Sequence, residues 1–428
     1  MKKLFFILFI NLLPAQQSWT LKQCLDYAYA NHPLIKQSTV TIQKNERQMS
    51  AAKGMLLPSV NAGVSHNYGF GSSINQNTNQ REAINSQYDQ MYAQANWELV
   101  NWRNYLNISL SKMNKESSVY AMKRTQNEVK LNVIQMFFTY QNSKSWLDVL
   151  QTQISGIEDQ ITRTEKEVEI GSRPKSDVYD IKANLGTMQE QLVSAKNQKD
   201  ISKINLLNAL AITKDTLDFT MPGEDLADSQ FNDADLVQNL LEKNPAYQTI
   251  LQEIRAQQKN VDIARSGYVP TLNGSYTWSS FYNKIMGQPA DAFSDQIRAN
   301  KNQQLSFGLN IPVFNRLQVK NSVETAKLNV INSNYEKDII INDLTRSISS
   351  IKTQFQNAQE KYKLLEANFE NQQLSFRKSE EKYKEGLMDA YTFFLVRNNW
   401  LQANYNLISS KNDVIQQTEL LKVFETNR

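Results

Sequence analysis

Cysteine is nearly missing from this sequence: Cys24 stands alone in 428 residues, so no internal disulfide can form. The residues before it, Leu21, Lys22 and Gln23, are not the small ones that precede a lipid-modified cysteine, and Cys24 reads as a packed thiol. Histidine is almost as scarce. His32 falls at a helix start and His66 in a strand, so Cys24 gains no plausible catalytic partner. Carboxylates are scattered along helix faces as solvated surface, and no glycine-rich phosphate loop occurs. These absences argue against an enzyme, and no cofactor or metal site is expected. Net charge is also small: 47 Lys and Arg against 43 Asp and Glu give +4, which offers little to a nucleic acid. Nine prolines and thirteen glycines are few for this length. Together with many Asn, Gln and Ser and a low mean hydropathy, they favour long helices with narrow apolar seams over a thick core.

What is present begins with "MKKLFFILFINLLPAQQ". Lys2 and Lys3, the short apolar run Leu4–Leu13 and the small Ala15 have the form of a secretory signal peptide over residues 1–15. Beyond it no apolar run reaches the ~18 residues a membrane helix needs. A membrane, if crossed, is crossed by strands. Aromatic residues are many for so polar a chain: 18 Tyr, 18 Phe and 6 Trp.

The chain is written twice. "AKGMLLPSVNAGVS" at 52–65 matches "ARSGYVPTLNGSYT" at 264–277, and "NHPLIKQ" at 31–37 answers "NPAYQTI" at 244–250. Pro33 and Pro58 have the same spacing as Pro245 and Pro270. Duplication of one unit of about 210 residues is the simplest account, giving repeats at 16–220 and 221–428.

Each repeat opens with a helical stretch, Leu21–Gly54 and then Ala234–Arg265, ended by proline. Strands follow. Val60, Ala62, Val64, Tyr68 and Phe70 alternate with polar or small residues, as do Met91, Ala93, Ala95, Trp97 and Leu99. Leu272, Tyr276 and Trp278 repeat the pattern, and then Leu305, Phe307, Leu309 and Ile311. Period-two alternation gives one apolar and one polar face. Strands of about 9–11 residues with an apolar face suit an outer-membrane barrel, and four are too few to close one without neighbours. The connections 71–87 and 283–301 read as long polar loops.

The longest elements come next, 103–170 and 317–385, each predicted as a rod of roughly 100 Å. Ile341, Leu344, Ile348, Ile351, Phe355, Ala358, Tyr362, Leu365 and Phe369 recur at alternating steps of three and four. Val129, Val133, Met136, Tyr140, Ser143, Leu147, Leu150 and Ile154 hold the same register in the first repeat. That 3.5-residue period demands a coiled-coil partner. Gly171 and Gly386 end the rods, and Ser176–Ala211 and Tyr391–Val423 return along them as hairpins.

This duplicated order of helix, strand pair, long helix and returning helix resembles the TolC-like outer membrane efflux proteins, in their Bacteroidetes-type form, over essentially the whole mature chain. The opening "WTLKQCLDYAYANHP" (19–33), both proline-then-strand junctions, "PVFNR" (312–316), its weaker echo "LVNWR" (99–103) and the two glycine tips carry the resemblance. It implies an α+β fold with duplicated coiled-coil hairpins forming an α-barrel, and four strands given by each protomer of a homotrimer to a twelve-stranded barrel. It also implies a passive conduit in outer membrane lipid, reaching through the periplasm toward an adaptor protein and an inner-membrane pump. The alternative functions are a periplasmic adaptor and a coiled-coil scaffold of an export complex. Carried over by position, Asp177 and Tyr383 match a gate pair that ties the two hairpins, while an arginine that assists the tie falls at Met388. Carboxylates of the tunnel constriction fall at Thr392 and Leu395. Gly171, Ser172, Arg173, Gly386, Leu387 and Met388 are expected at the adaptor-docking tips. Tyr68, Phe70, Trp97, Trp278, Phe281 and Tyr282 are expected as membrane-interface aromatics.

Overall fold

A computed structural model of the chain describes residues 18–74, 78–83, 85–213, 217–221 and 241–425. The expected signal peptide, residues 1–15, lies outside them. The first helical stretch is two helices. In α1 (Leu21–Asn31) Thr20 caps the start, its backbone N–H donating to Gln23 Oε1 at 2.8 Å while Gln23 N–H reaches Thr20 Oγ1 at 3.4 Å. His32 then turns extended, with ψ 128°, because the ring of Pro33 disfavours a helical residue before it. α2 (Pro33–Gly54) restarts with that proline in its first turn, where no donor is lost. The strand β1 (Ser18–Trp19) precedes them.

The remaining order is β2 (Ser59–Gly69), a small pair β3 (Ser72–Ile74) and β4 (Arg81–Ala83), β5 (Ser86–Val100), α3 (Trp102–Glu169), α4 (Lys175–Ala209) and β6 (Asp218–Phe219). α5 (Pro245–Arg265), β7 (Thr271–Ile285), α6 (Phe293–Ala299), β8 (Asn302–Asn310), α7 (Gln318–Lys384) and α8 (Ala390–Glu425) follow. The part of the expected fifth helix at 234–240 is outside the described residues. Among the described residues no helix is long and apolar enough to cross a membrane.

Two compact units emerge, and each draws on both halves of the sequence: one from residues 40–119 and 249–337, the other from 1–39, 120–248 and 338–428. The first holds an antiparallel sheet in the order β2-β5-β7-β8. Register pairs Val60 with Ala95, Ala93 with Trp278 and Tyr276 with Leu305, so the apolar residues of all four strands share one face. Val60, Val64, Leu305, Phe307 and Leu309 on that face are exposed. β5 and β7 are longer than expected, each taking residues assigned to loops. Past Ser279 the strand β7 has no β8 partner, and α6 covers its edge. Gln296 uses its side-chain amide as a substitute strand: it accepts from Asn283 N–H at 3.0 Å and donates to Asn283 O at 3.1 Å. Asn300 Nδ2 donates to Phe281 O at 2.9 Å. Helix packing in this unit is thin, a cluster of Val261, Val323 and Ala326.

The second unit is helical. The expected seam residues Val133, Tyr140, Leu150, Ile348, Phe355 and Ala358 are buried, as a coiled-coil period requires. α1 lays Leu21, Cys24 and Ala28 against Ile134, Phe137 and Phe138 of α3, Leu206 of α4 and its cap residue Leu210. Burial pushes the Cys24 thiol up to about 12, which leaves it inert as a nucleophile. Just past the end of α4 and its cap Leu210, Ala211 takes φ 56° without being glycine, its N–H donating to Asn208 O at 2.9 Å.

β1 pairs in parallel with β6, and Asp218 secures the pair. Its carboxylate accepts from Lys144 Nζ at 2.9 Å and from Tyr140 Oη at 2.9 Å. Burial alone would raise this carboxyl. Hydrogen bonds from Lys144, Phe219 N–H and Tyr140 outweigh it and hold Asp218 below the ordinary carboxylate range. The stability it contributes is therefore complete above the ordinary carboxylate pKa and is lost as pH falls through the lower folded value. Asp218→Asn should lower stability at neutral pH by about 1 kcal/mol, discounted for partial solvent screening. Thermal melts should show that gap narrowing as pH falls below the ordinary carboxylate pKa.

Candidate functional site at the helix tips

The two long helices end in the same way. Gly171 has φ 76°, its N–H donates to Val168 O at 3.0 Å, and Ser172 N–H donates to Glu167 O at 2.9 Å. Gly386 has φ 73°, with Gly386 N–H to Tyr383 O at 3.1 Å and Leu387 N–H to Lys382 O at 2.9 Å. Both are Schellman caps, and the left-handed position selects glycine. Each tip carries one exposed apolar side chain beside its glycine: Ile170 is 79% exposed and Leu387 73%.

Behind the caps lies a dry core. Leu150, Ile154 and Ile157 of α3 and Ile181 of α4 meet Tyr383 of α7 and Phe393 and Phe394 of α8. Tyr383 stacks on Phe393 at 4.6 Å between centroids and 14° between planes. Its hydroxyl lies 3.5 Å from Thr164 Oγ1, and no hydrogen bond joins it to Asp177 among the described residues. The expected gate pair is instead bridged by Arg173. The guanidinium donates through Nη2 to Tyr383 O at 2.6 Å and lies 4.1 Å from the centre of the Tyr383 ring. Its Nε meets Glu167 at 2.8 Å and its Nη1 meets Asp177 at 3.4 Å.

Tyr383 O is also the carbonyl that caps the second tip, so the arginine of one tip grips the cap of the other. A cation there is favoured by the C-terminal end of α7. Only 11% of the Arg173 side chain is exposed. It was expected on the docking surface and lies inward, because four partners converge on it. Met388 also packs against the core, while Gly171, Ser172, Gly386 and Leu387 are exposed. The sequence signal for the bridge was the i,i+4 pair Arg173–Asp177, interrupted by Pro174.

Asp389, absent from the sequence expectations, starts α8. It accepts from Thr392 N–H at 2.8 Å and from Thr392 Oγ1 at 2.7 Å, and these bonds hold its carboxyl below the ordinary range. Thr392 and Leu395 lie on the exposed side of the first turns of α8, with Tyr391.

On the sheet, Tyr68, Phe70 and Trp97 are exposed, and Trp97 Nε1 donates to Leu56 O at 2.8 Å. Trp278 and Tyr282 are half-buried on the same face. Phe281 corrects the expected set. Consecutive strand residues face opposite sides, so it cannot join Tyr282, and it stacks on Tyr88 at 5.7 Å. His66 and Asp89, directly opposed in register, are joined by a hydrogen bond on the apolar face beside Tyr68.

A family model described as "Outer membrane efflux protein" matches residues 24–211 and again 236–423. No curated protein matches the chain. Solved structures do. The Campylobacter jejuni CmeC outer membrane channel is 18% identical with a TM-score of 0.74, over 94% of this chain and 85% of that one. The Vibrio cholerae outer membrane protein VceC is 11% identical with a TM-score of 0.76, over 94% and 95%. The Neisseria gonorrhoeae MtrE outer membrane channel, solved in its open state, is 13% identical with a TM-score of 0.74, over 94% and 88%.

The bridge geometry gives Arg173 and the Tyr383 hydroxyl different weights. Arg173→Met removes a nearly buried cation from two carboxylates and a cap carbonyl, and should weaken the tip by about 3 kcal/mol. Hydrogen exchange at the amides of Gly386 and Leu387 should then rise by about 100-fold. Tyr383→Phe loses only the long contact to Thr164 and should change the same amides by less than about threefold.

Proposed function

Because the chain belongs to the outer membrane efflux protein family, we propose that it works as the passive, trimeric conduit of a tripartite export system. It is an outer-membrane efflux protein whose helical part lies in the periplasm, and its family and structural relatives are channels, not enzymes. One observation carries the trimer. The sheet has four strands, an exposed apolar face and two outer strands, β2 and β8, with no partner beyond them among the described residues. Such edges are untenable in lipid, and three copies of four strands make a closed twelve-stranded ring.

In this reading the repeats 16–220 and 221–428 each send one hairpin into the periplasm. The exposed tips at Gly171, Ser172, Gly386 and Leu387 meet a periplasmic adaptor, with Arg173 and Met388 as their support. An inner-membrane pump supplies the energy. Asp177 and Tyr383, joined through Arg173, hold the entrance closed, and Thr392 and Leu395 line the narrowest part. Tyr68, Phe70, Trp97, Trp278 and Tyr282 anchor the barrel at the membrane interface.

The protein should remain with outer membranes through salt and carbonate washing and migrate as an SDS-resistant trimer until boiled. Release by carbonate would favour an adaptor or a scaffold, and a monodisperse monomer in mild detergent would overturn the barrel. In planar bilayers, Arg173→Met with Asp177→Ala should raise single-channel conductance several-fold, in the range of about 1–3 kcal/mol of lost closure, at unchanged trimer yield.

A further inference from the structure

Within the described residues, six buried side-chain polar atoms have no protein hydrogen-bond partner, and all six belong to two helices. Gln141 Nε2 and Gln153 Oε1 are on α3; Arg397 Nε, Asn398 Oδ1, Trp400 Nε1 and Gln417 Oε1 are on α8. These helices come from different hairpins and meet along one seam. Asn412 Nδ2 donates to Asn142 Oδ1 at 2.6 Å, Trp146 lies 4.6 Å from Tyr405 between centroids, and Arg397 Nη2 donates to Gln153 O at 3.1 Å. Buried polar groups are normally paired, so this seam is under-satisfied where the tip core is dry and aromatic.

Arg397 is its least comfortable member. It makes one hydrogen bond, to a carbonyl inside a helix, and no ion pair among the described residues. Glu380, the carboxylate whose charge favours it, is engaged by Lys384 at 3.1 Å. Cavities of about 220 Å³ and 430 Å³ flank it, the smaller lined by Gly156, Thr164, Glu380 and Tyr383, the larger by Gln153, Trp400 and Asn404. Gly156 is the only glycine of α3, and its helical backbone does not require glycine. A Cβ there would overlap Arg397 Nη2, so the guanidinium would have to shift to make room for it. Burial lowers the pKa of Arg397, which marks the charged form as poorly accommodated.

The two arginines therefore work in opposite directions. Resting on the gated-conduit reading above, we propose that Arg397 opposes closure and sets how readily α8 leaves α3, with Gly156 as the notch that lets the closed packing form. Arg173 gains partners in the closed arrangement. Arg397 Nε surrenders water with no protein acceptor in return, and parting of the seam returns that water.

The test uses the purified full-length protein in planar bilayers and, separately, hydrogen exchange over residues 394–404 in detergent. Arg397→Met, placed in the Arg173→Met background, should lower conductance at least threefold and slow exchange in that segment. Gly156→Ala should do the reverse on its own, and adding Arg397→Ala should cancel its effect. Conductance and exchange that rise or stay level in Arg397→Met would overturn the proposal, since the arginine would then be a tie or a bystander. If the Arg173→Met background conducts nothing, the conduit reading fails, while the exchange measurement still decides the role of Arg397.

Discussion

A four-stranded antiparallel sheet cannot satisfy its own two edges, and that constraint organises the chain. In water an edge can be hydrated; in lipid each unpaired N–H and C=O is a standing penalty. Features of that sheet follow from managing it. β7 runs past the end of β8, and α6 covers the remainder through Gln296 and Asn300. What is left open, the outer sides of β2 and β8, is what a second copy of the same sheet can fill.

The helical unit solves a different problem. Its helices are too polar to bury a wide face, so they rely on a seam in which every third or fourth residue is apolar. Such a seam is continuous but narrow, and it leaves polar side chains at its margins. Between hairpins the margins become the contact itself, with Asn142, Gln153, Arg397 and Asn412 facing one another. The tips thus combine a charged clasp at Arg173 with less fully paired packing further in.

Much of this was legible in the sequence, for identifiable reasons. The 3.5-residue period located the buried side of both long helices, because Val133, Leu150, Ile348 and Phe355 had no other way to be covered. The tip glycines were legible because a left-handed cap selects glycine. Side-chain direction was not. Arg173 looked like surface in a loop, and only the folded tips bring Glu167, Asp177 and the carbonyl of Tyr383 to it. The break at His32 was readable from Pro33 but was masked by the amphipathic run on both sides. Strand ends escaped because the backbone partner of Asn283 is replaced by the side chain of Gln296, 13 residues further along the chain. Phe281 was misplaced by treating two adjacent aromatics as one belt.

Gly171 and Gly386 take a left-handed cap at little steric cost, whereas Ala211, just past α4, takes the same conformation with a side chain that disfavours it. Its cap bonds match theirs, Ala211 N–H to Asn208 O and Ile212 N–H to Leu207 O, both at 2.9 Å. What differs is the surroundings: Leu206, Leu207 and Leu210 on one side and Ile212 on the other are all drawn into the core with α1 and α3. The strain at Ala211 is thus a cost carried by the packing of its neighbours, one that a glycine there would not incur.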